Sequence, residues 1–198
     1  MAKSQLGELT PLYKFLAALF LVALALGSRA SELAALDRSS LEIGADRSVS
    51  LLPLPGFLAK NHRLGHNPGP LTFPPLPEDP VLCPVQALTA YLALSPETKS
   101  GPVFLHPHSS RPLPAQSLSR WLVKAITWLL PNSTPKGHDT RKVAASLAWA
   151  AGRPLGEILA RGTWSGSSVF FRKYLHTSPI LRTTTNVVVL GSAASSAS

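Results

Sequence analysis

Phe15-Leu-Ala-Ala-Leu-Phe-Leu-Val-Ala-Leu-Ala-Leu26 is an uninterrupted run of twelve apolar residues, and it decides what kind of fold this chain can form. Such a run is the core of a signal peptide, a membrane span or a helix buried inside a globular domain. Twelve residues are too few to cross a bilayer, which takes about 20. The sequence Gly27-Ser-Arg-Ala-Ser could imitate a cleavage site, but Leu33 and Leu36 continue the apolar pattern at helical spacing. We therefore expect a buried core helix.

Helix signals frame this run and recur along the chain. The first helix is predicted to begin at Pro11, with Thr10 as its N-cap, and to end at Gly27. A short second helix is expected over 31–36. Apolar residues three and four positions apart predict further helices at 84–94, 117–130, 141–151, 155–161 and 168–175. The apolar face of the helix that ends before Pro131 is predicted to carry Leu118, Trp121, Leu122, Ala125, Trp128 and Leu129.

Between the second and third helices the pattern changes to short segments that alternate weakly between apolar and polar residues. Residues 41–44, 49–54 and 70–76 are the predicted strands, and their prolines limit them to sheet edges or strand ends. A further short strand is possible at 103–105. We divide the chain into a flexible N-terminus at 1–9, one domain at 10–180 and a tail at 181–198. The end of the tail is expected to be disordered.

Charge is distributed unevenly along the chain. The 19 Lys and Arg residues outnumber the 10 Asp and Glu residues, which gives a formal net charge of +9. Residues 1–97 hold seven basic and eight acidic side chains, whereas residues 98–198 hold twelve basic and two acidic ones. A polyanion such as nucleic acid is the natural partner of the C-terminal half. A basic surface that only confers solubility is the alternative.

Cys83 is the only cysteine of the chain. It excludes an internal disulfide and a zinc site built from thiolates, and it fits a reducing, intracellular compartment. We see no Asp/Glu cluster typical of a two-metal nuclease.

Five side chains suited to phosphodiester chemistry occur in a fixed order: Arg29, His138, Arg141, Trp164 and Tyr174. Guanidiniums hold two non-bridging phosphate oxygens in a planar fork, and a neutral imidazole can accept a proton near pH 7. An indole N–H can only donate, and a tyrosine hydroxyl becomes a nucleophile once its proton is removed. Taken singly, each residue has a plainer structural interpretation. Their joint order and spacing, with 23 residues from Arg141 to Trp164 and ten from Trp164 to Tyr174, make the set informative.

The set, within Arg29-Ala-Ser-Glu-Leu33 and His138-Asp-Thr-Arg141, resembles the catalytic domain of the tyrosine recombinase (phage integrase) family. Details such as Leu82-Cys-Pro-Val-Gln-Ala-Leu88 look closest to recombinases of DIRS-type eukaryotic mobile elements. The resemblance covers about residues 10–176. It implies an α+β, mainly helical catalytic domain with a small three-stranded antiparallel sheet. That family has a lysine in the turn between its second and third strands, where this chain has Lys60.

What the resemblance implies is site-specific DNA recombination or integration, by strand cleavage and rejoining through a 3′-phosphotyrosine intermediate. Tyr174 would be the nucleophile, His138 the general base, and Lys60 the general acid that protonates the departing 5′ oxygen. Three donors would stabilise the charge on the five-coordinate phosphorane, namely Arg29, Arg141 and Trp164.

Because the bond energy is kept in the phosphotyrosine, the resemblance implies neither a metal nor a cofactor. The implied partner is double-stranded DNA, with self-association on that DNA and no membrane. The implied location is the nucleus in a eukaryote and the cytoplasm otherwise. Only 28 residues precede Arg29, so we expect the N-terminal domain with which the family closes around DNA to be missing. Two alternatives stay open. One is a truncated or degenerate mobile-element remnant that binds DNA without catalysis, and the other is an unrelated helical, membrane-associated protein built around residues 15–26.

Overall fold

A computed structural model describes residues 10–58, 69–94, 100–161 and 167 of the chain. Its architecture is α+β, with helices before and after a small sheet, as expected from the sequence. In chain order the elements are α1 (Pro11–Leu26), α2 (Ala30–Ala34), a 3₁₀ turn (Arg38–Ser40), β1 (Glu42–Ile43), β2 (Val49–Leu51), β3 (Leu71–Phe73), α3 (Pro84–Leu92), α4 (Ala115–Leu129), α5 (Asp139–Ala150) and α6 (Leu155–Arg161). The segments 1–9, 168–175 and 181–198, for which sequence made predictions, lie outside the described residues.

Helix α1 lies at the centre of the core. Thr10 is its N-cap and Pro11 its first residue, and Gly27 ends it in the left-handed conformation, with φ of 60°. The helix packs against α3, α4, α5 and β3. Five of its side chains have no exposed surface: Phe15, Ala18, Leu19, Val22 and Ala23. The apolar run is therefore inside the protein, and no helix among the described residues is long and apolar enough to cross a membrane.

The sheet is antiparallel with the strand order β1-β2-β3, which confirms the expected three-stranded antiparallel sheet. Val49 and Leu51 of β2 are buried and pair with Phe73 and Leu71 of β3, while Ser50 between them faces Thr72. The hydroxyls of Ser50 and Thr72 are 2.8 Å apart. This alternation, with a period of two residues, lays one face of the sheet on the core.

Two expectations about local structure were wrong. Residues 103–105 do not form a strand. The only bridges at this segment are isolated ones, between Leu105 and Pro112 and between the preceding Pro102 and Asp37. On α4, Trp128 and Leu129 are 61% and 58% exposed instead of buried. The buried positions of α4 end at Ala125, since its last turn passes the edge of the core. There the Trp128 ring lies 4.8 Å from the ring of Tyr13.

Candidate functional site

The joint between α1 and α2 positions Arg29. Gly27 turns the chain, and Arg29 is the N-cap of α2 with an extended backbone. Glu32, three residues on, accepts the backbone N–H of Arg29 on Oε2 at 2.7 Å and Nη1 of Arg29 on Oε1 at 2.9 Å. Residues three apart face each other at the start of a helix. The Arg29 guanidinium is therefore fixed by a carboxylate of its own helix.

Arg141 reaches the same carboxylate from α5. Its Nη1 donates a hydrogen bond to the carbonyl oxygen of Gly27 at 3.0 Å and lies 3.8 Å from Oε2 of Glu32. Helix α5 packs against α1, so the third residue of α5 meets the end of α1. Two guanidiniums that are 112 residues apart in sequence (141 minus 29) thus surround one carboxylate.

The guanidiniums of Arg29 and Arg141 both lie beside the single carboxylate of Glu32. The side chains of Arg29 and Glu32 are 21% and 15% exposed, whereas Arg141 is 2% exposed. A buried guanidinium requires a counter-charge, and Glu32 supplies part of it. Guanidiniums are suited to binding an anion such as a phosphate, and Arg29 is the more exposed of the two arginines.

His138 lies at the start of α5 as its N-cap residue, and it is exposed. The next residue, Asp139, accepts the backbone N–H of Lys136 at 2.7 Å and pairs with Lys142 at 3.0 Å. Burial raises the pKa of Asp139, but the bond from Lys136 and the contact with Lys142 outweigh it, so the pKa lies below its usual value. Lys136 and Lys142 therefore hold the carboxylate of Asp139 in place, while the neighbouring His138 is exposed to solvent.

A close contact with α4 fixes the approach to His138. A Cβ added at Gly137 would overlap Oγ of Ser119 and would lie 3.0 Å from Cβ and 3.2 Å from Cα of Ser119. The backbone before α5 therefore rests directly on α4, and only glycine permits this distance. Gly137 and Ser119 together set the position of the first turn of α5, which carries His138 and Arg141.

Comparisons with models of known protein families and with curated proteins give no match. The chemistry of the site is therefore the basis for assigning its function.

Three of the six site residues predicted from sequence lie outside the described part of the chain: Lys60, Trp164 and Tyr174. The described residues do link α6, which precedes Trp164 and Tyr174 in the chain, to β3, which follows Lys60. Arg161, at the end of α6, donates from Nη2 to the carbonyl oxygen of Thr72 on β3 at 2.8 Å. The end of α6 is thereby held against the sheet.

Glu32 lies in the predicted segment Arg29–Leu33 but was not predicted as a site residue. Its signal is the spacing of three residues from Arg29, which predicts a capping interaction and an ion pair at a helix start. Gly27 and Gly137 were likewise not assigned to the site, and only a structure shows what each contacts. Among the described residues there is no group of three or more His, Cys, Asp or Glu side chains that could hold a metal ion.

Proposed function

We propose that this protein is a tyrosine recombinase-type enzyme that cleaves and rejoins DNA strands through a 3′-phosphotyrosine intermediate. The observation that carries the proposal is the convergence of Arg29 and Arg141 on the carboxylate of Glu32. Two neighbouring guanidiniums fit a phosphodiester, because they can hold its two non-bridging oxygens in a planar fork. The excess of twelve basic over two acidic side chains in residues 98–198 supports DNA as the source of that phosphodiester.

In this mechanism the arginine pair holds the non-bridging oxygens and stabilises the phosphorane. His138 takes the proton of the Tyr174 hydroxyl as the tyrosine oxygen bonds to phosphorus. The bond from phosphorus to the 5′ oxygen breaks, and that oxygen receives a proton from Lys60. Trp164 donates its N–H to the same phosphorane. A 5′ hydroxyl of a partner strand reverses these steps and releases the tyrosine, so the phosphodiester count is unchanged.

The exposed position of His138 supports its role as a base, because its imidazole is open to solvent and carries no capping hydrogen bond. In the proposed site, loss of one preorganised donor such as Arg141 lowers the rate by about 10²–10³. A chain of DIRS-type mobile-element origin would act in the nucleus of its host.

One observation favours a second candidate, a remnant that binds DNA without catalysis. Arg141 is 2% exposed and bonds the carbonyl of Gly27, and a purely structural arginine would do the same. Such a protein would keep the fold and the basic surface without forming a covalent bond to DNA.

The two candidates are separated by incubating the protein with a nicked duplex substrate that traps a covalent intermediate. The enzyme forms an adduct that survives denaturing electrophoresis, and Tyr174→Phe abolishes the adduct while duplex binding persists. Tyr13→Phe is the matched control, because this tyrosine lies on α1 beside Trp128, and its adduct yield is expected to be unchanged. Duplex binding without any wild-type adduct supports the remnant, and an adduct in Tyr174→Phe disproves the nucleophile.

Lys60→Ala tests the general acid in the same assay. Its adduct formation is expected to recover on a substrate whose leaving group is better than a 5′ alkoxide, because protonation of the leaving group is then unnecessary. Continued failure on that substrate contradicts the role of Lys60.

A further inference from the structure

Residues 100–138, which lie between α3 and α5, contain no acidic side chain. Residues 100–138 hold four basic residues and three histidines, with no Asp or Glu. The four basic residues are all exposed: Arg111, Arg120, Lys124 and Lys136. Positive charge on this surface is therefore not offset within the segment, which is the electrostatic pattern that attracts a polyanion.

Four of its side chains form a continuous row from a turn onto α4. The turn is closed by the bridge of Leu105 with Pro112 and by the N–H of His106, which donates to the carbonyl of Arg111 at 2.8 Å. On the turn, the ring centroids of His108 and His106 are 5.8 Å apart. The His106 centroid lies 6.2 Å from that of Trp121 on α4, and the Lys124 ammonium lies 4.9 Å from the Trp121 centroid. Its members in order are His108, His106, Trp121 and Lys124.

We propose that this row together with Arg111, the histidine row, binds the phosphate backbone of duplex DNA and binds it more tightly when its histidines are protonated. The inference rests on the proposed function in taking DNA as the partner. It adds a contact surface separate from Arg29 and Arg141, and a dependence of DNA binding on pH.

The surroundings of Trp121 favour phosphate contacts over base stacking. Its indole has His106 on one side and Lys124 over the ring, and the ring of Phe15 lies 5.5 Å away inside the core. An aromatic platform for single-stranded bases needs an open ring face. The histidine row therefore presents charges, and these suit the regularly spaced phosphates of a duplex.

A DNA phosphate bound at the row would couple DNA binding to proton uptake by the two histidines. Histidine is the side chain that changes charge between about pH 5 and 8. The row contains two cations, Arg111 on the turn, whose carbonyl accepts the N–H of His106, and Lys124 on α4, which lies over the Trp121 ring, while α3 contributes the Tyr91 hydroxyl, which bonds the backbone of Leu105. A phosphate bound beside a histidine favours the positive form of that histidine. Protonation and DNA binding therefore promote each other.

The two histidines differ in what protonation requires. Nδ1 of His106 accepts the backbone N–H of His108 at 3.3 Å, so a proton on this nitrogen must displace that bond. The His108 ring is exposed and pairs only with the His106 ring among its described contacts. We therefore expect His108 to contribute more of the pH dependence than His106.

The test is fluorescence anisotropy with a labelled blunt duplex at pH 6 and pH 8, over about 50–200 mM salt. Wild type is expected to bind more tightly at pH 6. Its slope of log K against log salt is expected to steepen by up to about 0.9 for each histidine that becomes protonated. His106→Gln/His108→Gln is expected to match wild type at pH 8 and to lose the gain at pH 6. His108→Gln alone tests the same point without changing the ring that packs on Trp121.

Two single-charge variants complete the design. Arg111→Gln is expected to weaken binding by a similar factor at both pH values, because a guanidinium stays charged throughout. Arg47→Gln removes one charge from the exposed β1–β2 turn, beside Asp46, and is the matched control that leaves binding unchanged.

Full retention of the pH gain in both histidine variants, or wild-type affinity of Arg111→Gln, overturns the proposal. Binding to anionic vesicles is measured with the same variants. If the histidine variants or Arg111→Gln lose vesicle binding while their DNA binding is intact, the surface serves a membrane and the proposal is overturned. No readout here involves strand cleavage. A missing adduct with an intact pH effect contradicts only the enzyme, and an adduct with no effect of these variants contradicts only the histidine row.

Discussion

Arg141 donates a hydrogen bond of 3.0 Å to the carbonyl oxygen of Gly27, across 114 residues of sequence. The bond joins the first turn of α5 to the C-cap residue of α1. Gly27 is also the residue from which the chain enters α2, two positions before Arg29. The distance between the two arginines therefore depends on the backbone at Gly27, and the site is coupled to the most buried helix of the protein.

Gly27→Ala is expected to lower both stability and DNA binding. Gly27 has φ of 60°, a conformation that costs a residue with a Cβ about 1–2 kcal/mol. The added Cβ would lie 3.5 Å from Cβ of Ala144, an ordinary contact, so backbone strain is the main term. Urea unfolding measures the stability loss. Gly152→Ala is the matched control, since its φ is 75° and its Cβ would meet nothing within 4 Å. It should lose similar stability and keep its affinity for duplex DNA.

Gly137→Ala is expected to destabilise the protein by about 1–3 kcal/mol, because the new methyl overlaps Ser119. Gly156→Ala, in α6, is the control, and we expect it to stabilise the protein. Its Cβ meets nothing within 4 Å, and alanine is the better helix former, by about 1 kcal/mol. Ser119→Gly added to Gly137→Ala should restore part of the lost stability in thermal unfolding. An unchanged melting temperature of Gly137→Ala would show that α4 and α5 separate easily.

The elements that sequence predicted well are those defined by local signals. The long apolar run between Pro11 and Gly27 predicts α1 and both of its ends, because proline starts a helix and glycine in the left-handed conformation stops one. The alternation at Val49 to Leu51 likewise predicts β2. These features depend on a few neighbouring residues, so periodicity is sufficient to find them.

What sequence could not predict depends on where another element ends. The pattern on α4 continues to Trp128 and Leu129, yet these side chains are exposed because the core stops at Ala125. The position of the Glu32 carboxylate between two arginines also depends on another element. Its spacing from Arg29 is a local signal, but its approach to Arg141 depends on how α5 packs on α1. A tertiary distance of this kind is not encoded in either segment alone.

Asp139 is expected to contribute a small, pH-dependent part of the stability. Its folded pKa is lowered, so its contribution is present above the unfolded pKa of about 4 and is lost as pH falls through the folded value. A partly exposed pair such as Asp139 with Lys142 contributes about 0.5 kcal/mol. In urea unfolding, Asp139→Asn should be less stable than wild type at pH 7, and the two should converge once the pH falls below the folded pKa of Asp139. A constant difference at all pH values would mean that the carboxylate charge is not responsible.

Glu32→Gln removes the negative charge that Arg29 and Arg141 share, and tests whether the two guanidiniums accept an external anion. The amide keeps the size of the side chain, so the main change is the loss of one negative charge beside the two guanidiniums. We expect a loss of stability of about 1–3 kcal/mol, because Arg141 is buried and loses a negative charge that lies 3.8 Å away.

Inorganic phosphate should then restore stability by binding where the carboxylate charge was, since a ligand that binds the folded state stabilises it by mass action. The expected result is a larger rise in melting temperature with phosphate in Glu32→Gln than in wild type. Glu157→Gln is the matched control, because Glu157 lies exposed in the first turn of α6, and its response should equal that of wild type. Chloride at equal ionic strength separates site binding from screening. If phosphate and chloride act alike on Glu32→Gln, the arginine pair does not form an anion site, and the proposed phosphodiester contact loses its basis.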